Sequence, residues 1–286
     1  MRGKTRMASA LVAAGLAAAA CGGTGGQSPS AGGTPKTSSC ITAPGDLVNG
    51  GSITWGSDVS YPPQESFPIS APTTPTGFDI DVAAAIAKKM CLQSQVVNQG
   101  FDGIIPALGA KKFDAIISAM TVTADRSKVV SFVPYFNAGE ALVATSTSSL
   151  NITDLSQLCG RSVAVESGTA EESEIKTSVD PKCGAGKQVN LKVFPVDTAA
   201  LAELRKGGVD VHFTDSPVAE YEVKQSSDLK VVSPVLETAP EGIAVRKDDP
   251  KLLQAITKAF KAIEKDGTYD QLLTKWGLTA GDIRKA

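Results

Sequence analysis

The chain has a single histidine in 286 residues, only 5% aromatic residues, and no surplus of positive charge, with 28 Lys+Arg against 30 Asp+Glu. A lone histidine argues against a His-rich metal centre and against a Ser-His-Asp nucleophile. A formal charge of -2 excludes a generic polycation for nucleic acid. Past the first 20 residues no apolar run is long enough to cross a bilayer. There is no P-loop-type glycine motif and no solenoid-length repeat. Nor is there a metal-spaced cluster: the cysteines are scattered, and Asp79-x-Asp81 falls on a helix face. No cofactor and no metal are expected. What is present is 42% hydrophobic and 20% charged residues, enough chain for one large or two small folded domains.

The amino terminus reads as an export signal. Arg2, Lys4 and Arg6 precede an uncharged, alanine-rich run of 14 residues, Met7 to Ala20. The run ends in Ala18-Ala19-Ala20-Cys21-Gly22, which resembles a bacterial lipobox, with Ala18 where leucine is commoner. Cys21 is therefore the expected lipidation site; plain secretion with an incidental cysteine is the competing reading. Residues 21–45 are expected to be a flexible tether, on the strength of the Gly/Ser/Pro-rich stretch from Gly22 to Ser39. Loss of the signal takes three basic residues with it and leaves a net charge of about -5.

Four cysteines then remain: Cys40, Cys91, Cys159 and Cys183. Export favours disulfides, and four cysteines allow three pairings. Cys159 and Cys183 lie in one region, so they are expected to pair, leaving Cys40 for Cys91; four reduced thiols are the alternative. Along the body, strands are predicted at 52–56, 95–98, 114–118, 161–165 and 209–213. Helices are predicted at 78–90, 103–110, 197–206, 252–265 and 269–276, and a turn at Ser167-Gly168-Thr169 opens another at Ala170. This alternation argues for an α/β protein with mainly parallel sheets.

From Trp55 onward the chain resembles the polar-amino-acid-binding proteins (family 3 type) of bacterial ABC importers. The stretches that carry the resemblance include GSDVSYPP (56–63), GFDIDVAAAIAKKM (77–90), FDGIIPAL (101–108), DAIISAMTVTADRSKVVSFVPYF (114–136), VAVESGTAEE (163–172), VDVHFTDSPVAEY (209–221) and DGTYDQLLTKWG (266–277), in the family's order. The resemblance implies a two-lobe, periplasmic-binding-protein-like fold of type II, each lobe an α/β sandwich, joined by two hinge strands near 135–139 and 237–241. Lobe one would be 46–136 plus 242–286, and lobe two 137–241. Hinge closure would bury a free amino acid, and the closed body, a monomer on the outer face of the membrane, would deliver it to an ABC permease driven by a separate ATPase.

A zwitterion that leaves water needs opposing charges. The resemblance places its carboxylate on Arg126, whose planar fork suits it better than a lysine would. Thr121 would add a hydroxyl and Ala119 a carbonyl. Backbone N–H groups at Thr169 and Ala170, with the Thr169 hydroxyl, would assist from the second lobe; ordinary N-capping by Thr169 is the alternative. A surface ion pair with Asp125 or Glu140 is the alternative for Arg126. Asp215 matches the ammonium-binding aspartate, and Tyr61 and Phe101 match the aromatic pair around the ligand's stem. His212, alternating with Val211 and Phe213, reads as structural. Asp58 matches the position that contacts the distal polar group. Glu166 has no settled counterpart in the family. Two carboxylates at the distal end would repel glutamate and attract a cation, so the expected ligand is arginine, lysine or ornithine. Glutamine or another polar amino acid is the alternative, and a cyclohexadienyl-dehydratase-like enzyme is the alternative from another class.

Overall fold

The computed structural model describes residues 40–285. The signal segment, Cys21 and most of the tether lie outside the described residues. The chain forms, in order, β1 (Ser52–Ser57), β2 (Ser60–Tyr61), β3 (Glu65–Ser66), α1 (Phe78–Lys89), β4 (Gln93–Asn98), α2 (Ile104–Gly109), β5 (Ala115–Ile116), α3 (Ala124–Val129) and β6 (Val130–Thr145). Then follow β7 (Ser162–Glu166), α4 (Ala170–Glu174), β8 (Asn190–Phe194), α5 (Asp197–Arg205), β9 (Val211–Asp215), α6 (Ser216–Gln225), β10 (Leu229–Val231), β11 (Leu236–Arg246), α7 (Pro250–Lys265) and α8 (Thr268–Trp276).

Local chemistry explains the main elements. All six residues of β1 are buried, because the strand lies between parallel partners β4 and β5. Helix α1 carries Asp79 and Asp81 in its first turn and Lys88 and Lys89 in its last, matching its dipole. Helix α7 starts at Asp249, which accepts the Leu252 N–H, followed by Pro250 at a position where no N–H is needed. It buries Leu252, Ala255, Ile256, Ala259, Phe260 and Ile263 at helical spacing against the first lobe's core. Each large side chain so buried contributes about 1.5–3 kcal/mol. A separate core around Leu142, Val163, Val165, Val211 and Phe213 builds the second lobe. Among the described residues no helix is long and apolar enough to cross a membrane.

The sheet is mixed, where the sequence suggested mainly parallel strands. Strand order is β4-β1-β5-β11-β6-β9-β7-β8, with β10 added on β6. The pairs β1–β4, β1–β5, β7–β8 and β7–β9 are parallel, as βαβ units require. The two long strands, β6 and β11, run antiparallel to each other and link both halves. Pro134, Asn137 and Gly139 obscure β6 as one strand in the sequence. The segments 135–139 and 237–241 lie side by side in this pair, and the register shifts between Leu236 and Ala239 and again between Glu241 and Gly242.

Two disulfides lie among the described residues, and the first anchors the start of the described chain. Cys40 is joined to Cys91, and Cys159 to Cys183. Residues 40–45 belong to the folded body rather than to the tether: the Ile41 N–H donates to the Lys89 carbonyl, and Ile41 and Ala43 pack on the first core. The composition of 40–45 carries no sign of this, because a disulfide partner 51 residues away decides it. In the loop-entropy account each bridge contributes about 3–4 kcal/mol.

Candidate functional site

A pocket with about 300 Å³ of empty space, part of it open to solvent, lies where the two halves of the sheet face each other. Asp58, Tyr61, Phe101, Ala119, Thr121 and Arg126 line it from the first half, and Glu166, Thr169, Ala170 and Asp215 from the second. All ten predicted ligand contacts are thus brought together. Glu65, Ser118 and Glu171 complete the wall and were not predicted. Glu171 sits directly after Ala170 in a quoted motif and was open to discovery there. Glu65 carries no local signal, since only the path of the 62–66 segment brings it inward.

Arg126 projects from α3, a short helix capped by Thr123, whose hydroxyl accepts the Arg126 N–H. Its guanidinium donates to the Thr121 carbonyl at 2.8 Å and to the Gly168 carbonyl of the opposite half at 2.9 Å, and lies 5.2 Å from the Phe101 ring centroid. Asp125 pairs with Lys128 instead, so Arg126 is not held in a surface ion pair with it. Burial lowers Arg126 from its usual value, against the pull of the Glu171 and Asp215 carboxylates.

Asp215 ends β9. Its carboxylate accepts the Tyr61 hydroxyl at 2.9 Å, and its N–H donates to the same hydroxyl at 3.0 Å. Together with the Arg126–Gly168 bond, these contacts cross the cleft, so the two halves are closed on each other. Burial and the nearby Glu171 carboxylate push Asp215 well above the usual carboxylate range. Ala119 has a left-handed backbone, φ 41°, unusual for a residue with a Cβ, and its N–H is held by Asp79 at 2.8 Å.

Also on the cavity wall, Asp58 accepts the Phe101 N–H at 2.8 Å and the Ser60 hydroxyl at 2.6 Å. Glu166, the last residue of β7, is buried, and its Oε1 has no hydrogen-bond partner. It makes no ion pair among the described residues, and Asp58 lines the same cavity. Burial, reinforced by the Asp58 charge, pushes Glu166 up to about 10. Glu65 and Asp58 are tied through Ser118, whose hydroxyl donates to Glu65 at 2.7 Å and accepts the Asp58 N–H at 2.9 Å.

One expected donor is already engaged. The Thr169 hydroxyl donates to the Glu166 carbonyl at 2.9 Å and accepts the Glu172 N–H at 3.2 Å, so it caps α4 and has no proton left for a ligand. His212 is fully buried on β9, as the strand alternation suggested. It lies between Asp197 and Glu222, but the two acids face opposite ring nitrogens, which makes a bridge and not a cage for one cation.

With the site described, its relatives can be placed. The sequence pattern of the bacterial extracellular solute-binding proteins, family 3, matches residues 53–279. The ABC transporter arginine-binding protein 1 of Escherichia coli (strain K12) is 33% identical over 232 residues, covering 78% of this chain and 90% of the relative. The histidine-binding periplasmic protein of Salmonella typhimurium (strain LT2) is 31% identical over 230 residues, covering 77% and 85%. Among solved structures, an ancestral arginine-binding protein bound to arginine matches with a TM-score of 0.73 and 39% identity, covering 79% of this chain and 98% of that one. The chain belongs to family 3 of the bacterial extracellular solute-binding proteins, and its fold is the two-lobe fold of these relatives.

Proposed function

We propose that this member of family 3 captures a basic amino acid outside the cytoplasm, with arginine the first choice, and hands it to an ABC permease. The observation that carries the proposal is the buried Asp58–Glu166 pair in a cavity that Arg126 also lines. Five carboxyl groups (Asp58, Glu65, Glu166, Glu171 and Asp215) face one guanidinium in this cavity. A ligand with one carboxylate and two cationic groups matches that inventory; glutamate opposes it.

The ligand carboxylate sits on Arg126, assisted by backbone N–H groups at Thr169 and Ala170. Its ammonium is held by Asp215 and the Ala119 carbonyl. Tyr61 and Phe101 flank the stem, and the distal cation meets Asp58 and Glu166. Lobe one is 46–136 with 242–286, joined by 40–45, which pack on its core; lobe two is 137–241, and closure turns on the paired segments of β6 and β11. Lipid on Cys21 anchors a monomer at the membrane. Relatives named for arginine binding support the choice of ligand.

Glu166 also favours a second reading. A carboxyl held to about 10 keeps its proton at neutral pH and hydrogen-bonds an uncharged amide, which suits glutamine. Titration calorimetry with the twenty amino acids and ornithine decides: tight binding of arginine, lysine or ornithine is expected. Tight glutamate binding without any of these would end the proposal. Turnover of prephenate or arogenate would move the protein to the dehydratase class.

A further inference from the structure

A line of hydrogen bonds runs from inside the second lobe to the cleft, and amino-acid capture by the cavity wall gives it no role. It starts at His212, whose Nδ1 lies 3.5 Å from Glu222 Oε2 on α6 with no hydrogen bond between them. His212 Nε2 is 2.8 Å from Asp197 Oδ1, and that same oxygen accepts the Thr214 hydroxyl at 3.1 Å. Thr214 Oγ1 lies 2.9 Å from the Tyr61 hydroxyl, which comes from the first lobe. Tyr61 also reaches Asp215. All six side chains are buried, and His212 itself does not line the cavity.

Proton counting orients this line. An ionised carboxylate only accepts, and a threonine hydroxyl has one proton. Asp197 Oδ1 takes the Thr214 proton, so Thr214 offers Tyr61 only lone pairs. The Tyr61 hydroxyl accepts the Asp215 N–H. Its own proton therefore points into the second lobe, toward Thr214 or Asp215. A Thr214 released from Asp197 would turn its proton toward Tyr61 and compete with the Asp215 N–H. The His212 ring meets the same Asp197 oxygen that accepts the Thr214 proton, so it holds that acceptor in place. Burial opposes a charge on the imidazole, but the Asp197 and Glu222 carboxylates outweigh it and hold His212 well above its usual value.

We propose that His212 is a positioning residue for lobe closure: through Asp197 and Thr214 it sets the direction of the Tyr61 bridge that holds the two lobes together over the ligand. The inference rests on the reading of the cleft as the ligand site. A histidine that merely filled the core would stabilise the second lobe and leave the bridge alone.

A double-mutant cycle separates the two roles. L-Arginine dissociation is followed by stopped flow in His212→Leu and Asp197→Asn, each alone and combined with Tyr61→Phe. In the Tyr61 background each substitution is expected to speed dissociation about tenfold. In the Tyr61→Phe background the same changes should matter less than about twofold, because the bridge is already gone. His212→Gln, whose amide can still donate to Asp197, should recover most of the lost residence time. Equal acceleration in both backgrounds, or none in either, overturns the proposal. If His212→Leu fails to fold, the equal-volume Asp197→Asn carries the cycle. If the wild type binds none of the amino acids, the functional reading falls, and small-angle scattering of the unliganded proteins decides the bridge alone. Tyr61→Phe, His212→Leu and their combination should then be equally more open than wild type, and unchanged dimensions in all three overturn it.

Discussion

Arg126 and Glu166 both line the cleft, and each supports a distinct prediction. Arg126→Lys keeps the charge but loses the planar fork, so affinity for arginine should fall about tenfold to a hundredfold by calorimetry. Glu166→Gln should weaken arginine by a similar factor and weaken glutamine far less. Proton linkage distinguishes the two ligands as well. Glu166 holds its proton up to about 10, and a guanidinium beside it favours the ionised form. Arginine binding should therefore release protons, seen as a dependence of the calorimetric enthalpy on buffer, and affinity should rise from about pH 6 to pH 9. A buffer-independent enthalpy for arginine would mean that Glu166 does not meet the ligand's cation.

The turn between β7 and α4 controls how closely the lobes approach. Gly168 has φ +81°, and a Cβ there would lie 2.8 Å from the Asp102 Cα of the opposite lobe. Glycine is needed twice over, for the left-handed backbone and for the close approach. Gly168→Ala should weaken arginine binding about tenfold to a hundredfold through the blocked closure. The unliganded protein should lose little more than the ~1 kcal/mol of a left-handed alanine, because lobes with no ligand between them can part and relieve the clash. A full loss of thermal stability without ligand, read by scanning calorimetry, would show that Gly168 serves the fold and not the closure. The Ser167-Gly168-Thr169 turn was legible in the sequence; the identity of Asp102 as its opposing surface was not, since 66 positions of chain separate the two and only lobe closure joins them.

Across the whole molecule, unpaired buried acids dominate the pH response. Behind the cavity, Asp79 accepts the Tyr135 hydroxyl at 2.6 Å, and Glu241 on β11 accepts the Gln64 amide at 2.9 Å. Burial holds Asp79 up to about 6 and pushes Glu65 and Glu241 well above the usual carboxylate range. A raised acid contributes stability below its ordinary value, and that contribution is lost as pH rises through the folded value. His212, also raised, acts in the same direction. The unliganded protein should therefore melt at progressively lower temperature from about pH 5 to pH 8. The increase in melting temperature produced by arginine should grow over the same interval. A flat profile would show that these acids are already compensated.

Residue order along the chain was sufficient to place the elements built on local rules: the amphipathic α7, the dipole-matched α1, the buried β1 and the turn that opens α4. The resemblance carried by the order of the motifs was sufficient to name ten residues that line the cavity; local periodicity alone does not single them out. The tertiary structure decided the rest. It turned Glu166 inward to the cavity that Asp58 lines, engaged the Thr169 hydroxyl in a cap, drew residues 40–45 onto the core, and brought Glu65 and Glu171 into the wall. These outcomes depend on pairs of groups far apart in the chain; no local spacing encodes a contact between two surfaces that a hinge must first bring together.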